Sequence, residues 1–382
     1  MSTGRLVLTG ALIVTPSQVL GPATLEIEGG LVRRIRAGKA ARGEDLKGAI
    51  VAPGFIDLHI HGYGGHDTNS GESEELLALA RLLPHYGVTA FVPTSVTASH
   101  EELLRVSRAV AEAVRAQGDR PRGARILGLH LEGPYINPEK AGAQNSSHIR
   151  PPDWDEFLQY WDAAEGNIRA VTVAPELPGA LEFIKKAVKL GITVSVGHTT
   201  ATYDEARAAI AAGARRATHL FNAMPPIHHR APGATVACLL APEVVVELIA
   251  DLIHVAGPML ELVWRAAGTE RVALVTDAIS AAGLPDGHYA LGGLEIEVRE
   301  GVARLENGAL AGSTLSLDRA VRNMVSLGVP LPQALAMATV VPAAAVGARE
   351  LGSLEPGRRA DFLVLDRELN IQRVYIGGER VI

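Results

Sequence analysis

The chain has 382 residues, 47% of them apolar and 20% charged, which excludes a largely disordered protein and allows one large barrel with a satellite, or two to three domains. Basic residues number 36 against 42 acidic ones, a formal charge of −6, so the average field repels nucleic acid. Cys238 is the single cysteine, which excludes an internal disulfide and a multi-cysteine zinc site and fits a reducing cytoplasm.

Arg5 followed by the apolar residues 6–14 has the outline of a secretion leader, but Thr9, Gly10 and Pro16 break the run. Residues 23–27, the pair Gly29-Gly30 and residues 31–35 then read as a hairpin continuing the same sheet. No apolar stretch reaches the roughly 18 residues of a membrane span; Glu247, Asp251 and His254 interrupt the best candidate. From residue 53 the texture changes to strand alternating with helix. Strands are expected at 55–61, 89–93, 125–132, 168–173, 193–198, 216–219, 244–249 and 272–277, and helices at 73–86, 100–117, 154–162, 179–190, 203–212 and 258–267, with more helix over 315–347. The last residues, 361–366 and 371–376 before Gly377-Gly378, return to short strands.

Eight such units in about 250 residues predict an α/β protein built as a (β/α)8 TIM barrel, with a doubly wound open sheet as the alternative. Each strand-rich end is too short to fold alone, so 1–52 plus 349–382 are expected to pair as one small β-sandwich beside a barrel at 53–348. In such a barrel the chemistry sits at the C-terminal strand ends. His59 and His61 project from one face of the first strand, because residues two apart in a strand share a face. Glu132, His198, His219 and Asp277 close four other strands. Four imidazoles and two carboxylates with no thiolate suit Zn2+ first, and also Fe2+, Mn2+ or Co2+, better than Mg2+ or Ca2+. A divalent ion with an open position activates water, and Asp277 is the expected proton carrier. His130 shares the strand face of Glu132 and is expected to be a buried support.

These residues resemble the amidohydrolase superfamily: Pro53 to Gly62, with His59-Ile60-His61, matches its first-strand signature. None of the six lysines falls on an expected strand, which disfavours a bridging carboxylated lysine and leaves Glu132 as its replacement. More narrowly, the chain is similar over nearly its full length to the N-acetylglucosamine-6-phosphate deacetylases, through His130 to Pro134, Gly197 to Thr199, Thr218 to Met224, Arg230, Asp251 to Val255, Thr276 to Ala278 and Ala311 to Ser313. The resemblance implies a main metal on Glu132, His198 and His219, a second ion on His59 and His61 in a one- or two-metal site, and acid–base catalysis by Asp277.

It further implies sugar-phosphate contacts from Ala143, Asn222, Ala223, Arg230, His254 and the Leu310-Ala311-Gly312 segment, with Gln144 standing where some members carry a histidine near the sugar. Arg230 would act across the interface of a homodimer. The rival expectations are another N-acetylated amino sugar, such as N-acetylgalactosamine 6-phosphate, an N-acyl amino acid, or a non-catalytic scaffold.

Overall fold

Parallel strands covered by helices on one side and packed into a barrel on the other are buried on both faces, and read as unbroken apolar runs. All six residues of Phe55–Ile60 and all eight of Val88–Ser95 are buried. The computed structural model describes residues 4–15, 18–119 and 121–382; Pro16, one of the expected chain breakers, lies outside them. Eight strands run side by side in parallel: β1 (Phe55–Ile60), β2 (Val88–Ser95), β3 (Leu129–Glu132), β4 (Ile168–Val173), β5 (Thr193–Val196), β6 (Arg216–Ala217), β7 (Val245–Ile249) and β8 (Val272–Val275). The ring closes just beyond β8, where the His61 N–H donates to the Ala278 carbonyl at 2.8 Å and the Asp277 N–H to the His59 carbonyl at 2.8 Å. The expected strand over 125–132 is split. Gly128 lies at φ 128° against the Asn167 carbonyl, 2.4 Å from where a Cβ would stand, and only Arg125–Ile126 and β3 keep strand pairing.

Helices at Ser73–Leu82, His100–Gln117, Trp154–Ala163, Ala180–Lys189, Tyr203–Ala212 and Gly257–Ala267 agree with the expected ones within a few residues at either end. Ser99 and Glu102 cap the second of these reciprocally, each side chain bonding the other's backbone N–H. The substitution Ser99→Ala is expected to lower stability by about 1 kcal/mol in a denaturant melt.

A helix and a three-stranded sheet have no counterpart among the expected elements. Gly233–Leu240 is a helix buried at six of its eight positions, so no polar face marks its 3.6-residue period. Gly287–Leu291, Leu294–Arg299 and Val302–Leu305 form a small antiparallel sheet turned by Gly292-Gly293. The expected helix over 315–347 is three helices, Leu317–Ser326, Leu331–Met337 and Val340–Ala345. They are separated at Gly328, in left-handed backbone, with Pro330 after it, and at Ala338-Thr339.

Strands from both chain ends share one further sheet, in which Ile50–Pro53 lies between Phe362–Leu365 and Leu6–Val14. Its far edge, Leu31–Ala37, returns to the other end through the Val32 N–H on the Arg358 carbonyl at 2.9 Å. The two expected layers are thus one continuous sheet bent over a core that includes Leu8, Ile13, Leu25, Val51 and Phe362. Val14, Ile50, Leu363 and Val374 of the same sheet belong to the barrel's core. No helix among the described residues is long and apolar enough to cross a membrane.

Candidate metal-dependent active site

The strands expected to carry His61, His198, His219 and Asp277 stop one or two residues earlier, at Ile60, Val196, Ala217 and Val275. His198, His219 and Asp277 instead adopt left-handed backbone, with φ of 46°, 27° and 51°, at about 1–3 kcal/mol each. Leaving the ladder frees their backbone carbonyls for neighbouring loops, so that the His198 carbonyl accepts from the Asn137 N–H at 2.9 Å and the Asp277 carbonyl from the Ser313 N–H at 2.7 Å. Gly312 permits the second contact: a Cβ there would stand 2.9 Å from the Asp277 carbonyl oxygen and 2.5 Å from Ile279.

All six expected residues converge. Glu132 Oε1 lies 2.9 Å from His219 Nε2, 3.3 Å from His198 Nε2 and 3.3 Å from His59 Nε2. Asp277 Oδ1 lies 3.1 Å from His61 Nε2 and 3.4 Å from His59 Nε2. They divide into two donor sets, Glu132 with His198 and His219, and Asp277 with His59 and His61, every member buried.

Whether a cation fits is decided by the outer nitrogens. His61 Nδ1 lies 3.0 Å from the Thr94 carbonyl and His198 Nδ1 2.7 Å from the Lys140 carbonyl, so each must donate there. The Nε2 lone pairs of both rings then face carboxylate oxygens and, in His198, the His219 Nε2 at 3.0 Å. Lone pairs pointed at lone pairs in a dry site need a positive charge between them. Among the described residues neither Glu132 nor Asp277 meets a lysine or arginine, and Glu132 Oε1 has no hydrogen-bond partner. A divalent ion matches this donor set.

The electrostatics show the same demand for positive charge, which a proton on these histidines or a metal ion meets. Burial opposes charge on His59 and His61, yet Glu132 and Asp277 raise both, His61 to about 9 and His59 well above its ordinary value. Burial would likewise raise Glu132 and Asp277, and the surrounding histidines outweigh it, holding both carboxyls below the usual range. His130 is pushed well below its ordinary value by burial and by Arg216. It bonds Thr172 Oγ1 at 2.8 Å and belongs to neither donor set.

Above the donors lies a cavity of about 230 Å3 lined by His61, Glu132, His198, His219 and Asp277 together with Ala143, Gln144, Asn222, Ala223, His254, Leu310 and Gly312. Gln144 is engaged at both ends, its Nε2 donating to Glu132 Oε2 at 2.7 Å and its Oε1 accepting from the Thr97 N–H. His254 Nδ1 pairs with Asp251 Oδ2 at 2.6 Å, which leaves Nε2 for a ligand. Ala311 does not line the cavity; it is buried with Val96 and Ile279. Arg230 is exposed beside His229 and is absent from the cavity of its own chain.

Three contributors escape sequence reasoning. Leu291, from the small antiparallel sheet, walls the cavity. Glu247 and Arg216 lie fully buried beneath it, 2.8 Å apart. A carboxylate inside the apolar strand β7 was the available signal, since a buried charge is retained only when paired.

A parallel barrel with buried imidazoles and carboxylates gathered at its strand exits defines a metal-dependent hydrolase of the barrel class. The model of the amidohydrolase family matches residues 50–381. Human N-acetylglucosamine-6-phosphate deacetylase is 39% identical over 99% of this chain and 93% of its own. N-acetylgalactosamine-6-phosphate deacetylase of Escherichia coli O157:H7 is 40% identical over 86% of this chain and 87% of its own. A mutant N-acetyl-D-glucosamine-6-phosphate deacetylase from Mycobacterium smegmatis, solved in complex with N-acetyl-D-glucosamine-6-phosphate, superimposes with a TM-score of 0.94 at 40% identity. The match covers 99% of this chain and all of that one. The chain belongs to the amidohydrolase family and, within it, to the N-acetylglucosamine-6-phosphate deacetylases.

Proposed function

We propose that the chain hydrolyses the N-acetyl group of N-acetylglucosamine 6-phosphate to acetate and glucosamine 6-phosphate. The observation that carries this is the pair of buried donor sets, with Asp277 among them, opening on a cavity that His254, Asn222 and Ala223 also line. Glu132, His198 and His219 would hold the main ion, Zn2+ by the chemistry of the donors, and His59 and His61 with Asp277 a second. Bound there, such an ion lowers the pKa of a water to about 7 and polarises the amide carbonyl.

The rest falls to the chain's own groups. Asp277, ionised at neutral pH, takes the proton of the attacking water at its carboxylate. The new C–O bond makes the amide carbon tetrahedral, and Asp277 returns the proton to the nitrogen as the C–N bond breaks, so the amine leaves neutral. Gln144 and the Thr97 N–H brace Glu132. The apolar side chains of Ala143, Leu291 and Leu310 narrow the cavity around a small acyl group.

The phosphate is met by His254 and by Arg230 of a second copy, whose planar fork suits phosphate oxygens; the exposure of Arg230 outside its own cavity supports that supply and hence a homodimer. The barrel at 53–348 carries the chemistry, and the composite unit of 1–52 plus 349–382 braces it. Buried, unpaired Cys238 suits a reducing cytoplasm.

The test is acetate release from N-acetylglucosamine 6-phosphate beside the unphosphorylated sugar, with bound metal counted. Release restricted to the phosphorylated sugar supports the proposal, and equal release from both overturns the phosphate reading. Because a relative 40% identical is an N-acetylgalactosamine-6-phosphate deacetylase, that sugar is the second substrate to run; faster turnover of it would reassign the specificity. Arg230→Ala is expected to raise KM about 10-fold or more, the cost of about 1.5–3 kcal/mol for a charge-assisted bond, with kcat less affected.

A further inference from the structure

The four imidazoles differ in what holds their outer nitrogen. His61 and His198 donate from Nδ1 to neutral backbone carbonyls, and His219 Nδ1 has no partner among the described residues. His59 alone meets an anion: its Nδ1 lies 3.0 Å from Glu247 Oε2, and both side chains are completely buried. The same oxygen accepts the backbone N–H of His219 at 3.1 Å. Glu247 Oε1 faces Arg216 Nε at 2.8 Å, and Arg216 Nη2 reaches His130 Nε2 at 3.1 Å. Glu247 does not line the cavity.

We propose that Glu247, its charge balanced by Arg216, is a positioning residue that sets the affinity of the His59–His61–Asp277 donor set for its ion while leaving the Glu132–His198–His219 set largely unaffected. The inference rests on the two-ion reading above. A carboxylate on Nδ1 fixes the proton there, turns the Nε2 lone pair toward Asp277 Oδ1 at 3.4 Å and toward His61 Nε2 and Glu132 Oε1 at 3.3 Å, and makes that nitrogen a stronger donor. His219 receives no such help, because its contact with Glu247 is through the backbone and leaves its imidazole untouched. The asymmetry therefore falls on one ion.

The variant to make is Glu247→Leu with Arg216→Met, which removes both buried charges at once and so avoids stranding either; apolar replacement of a buried ion pair is often neutral for folding. Glu247→Gln is the conservative companion. Zn2+ per subunit is counted after dialysis against graded chelator, and Co2+ titrations are followed by visible absorption. The expected result is one ion retained as in the unmodified chain and the other weakened roughly 10–100-fold, with a milder shift in the same direction for Glu247→Gln. Equal weakening of both ions, or of neither, overturns the assignment although the unmodified chain holds two. A single ion in the unmodified chain overturns the two-ion reading and the inference with it.

Discussion

Asp277→Asn is expected to reduce acetate release by roughly 100- to 10,000-fold, the range associated with losing a positioned acid–base group. The amide has nearly the shape of the carboxylate but cannot take a proton from water or return one to the leaving nitrogen. Two steps therefore fail together, the attack and the expulsion of the amine. Asp277 is buried 3.1 Å from His61 Nε2, so the loss should fall on kcat, with KM little changed and the melting transition intact. A variant that folds normally and keeps full turnover would remove Asp277 from the mechanism.

Glu132→Gln should abolish activity by another route. Its two oxygens lie within 3.3 Å of Nε2 of all four ligand histidines, at 2.9 Å from His219. Without the charge, the inward lone pairs of His61 and His198 lose one of the two anions that hold a cation among them. Metal affinity is expected to fall by more than the roughly 10–100-fold typical of losing an outer partner of a ligand. Elemental analysis after dialysis should find the main ion missing and turnover below detection. Retention of full metal content would show that the histidines suffice and that Glu132 serves another end. The two variants separate at the main ion, because Asp277→Asn removes the proton carrier and one donor to the second ion while leaving Glu132, His198 and His219 untouched.

Much of this was legible in the chain itself. Unbroken apolar runs such as residues 272–275 marked strands buried on both faces, and polar residues at the strand ends named every member of the two donor sets. The helix expected over 100–117 is kept at both ends. A short-range pattern suffices for such features, since period, cap and terminal polar residue are all carried by neighbours in sequence.

What tertiary structure decided were relations between distant segments. At the left-handed turns of His198 and Asp277 the carbonyls are bonded by loops from elsewhere, through the Asn137 and Ser313 N–H groups, and no local pattern announces them. Gln144 reaches Glu132, 12 residues away, and Glu247 reaches His59, 188 residues away. Leu291 enters the cavity on a hairpin that grows out between β8 and the helices after it. Sequence periodicity reports which face of an element is buried, but it carries no information on what that face will meet. The identity of the donors was therefore determined by the residues themselves, while their pairing into two sets, and the buried carboxylate that distinguishes one set from the other, came only with the closing of the barrel.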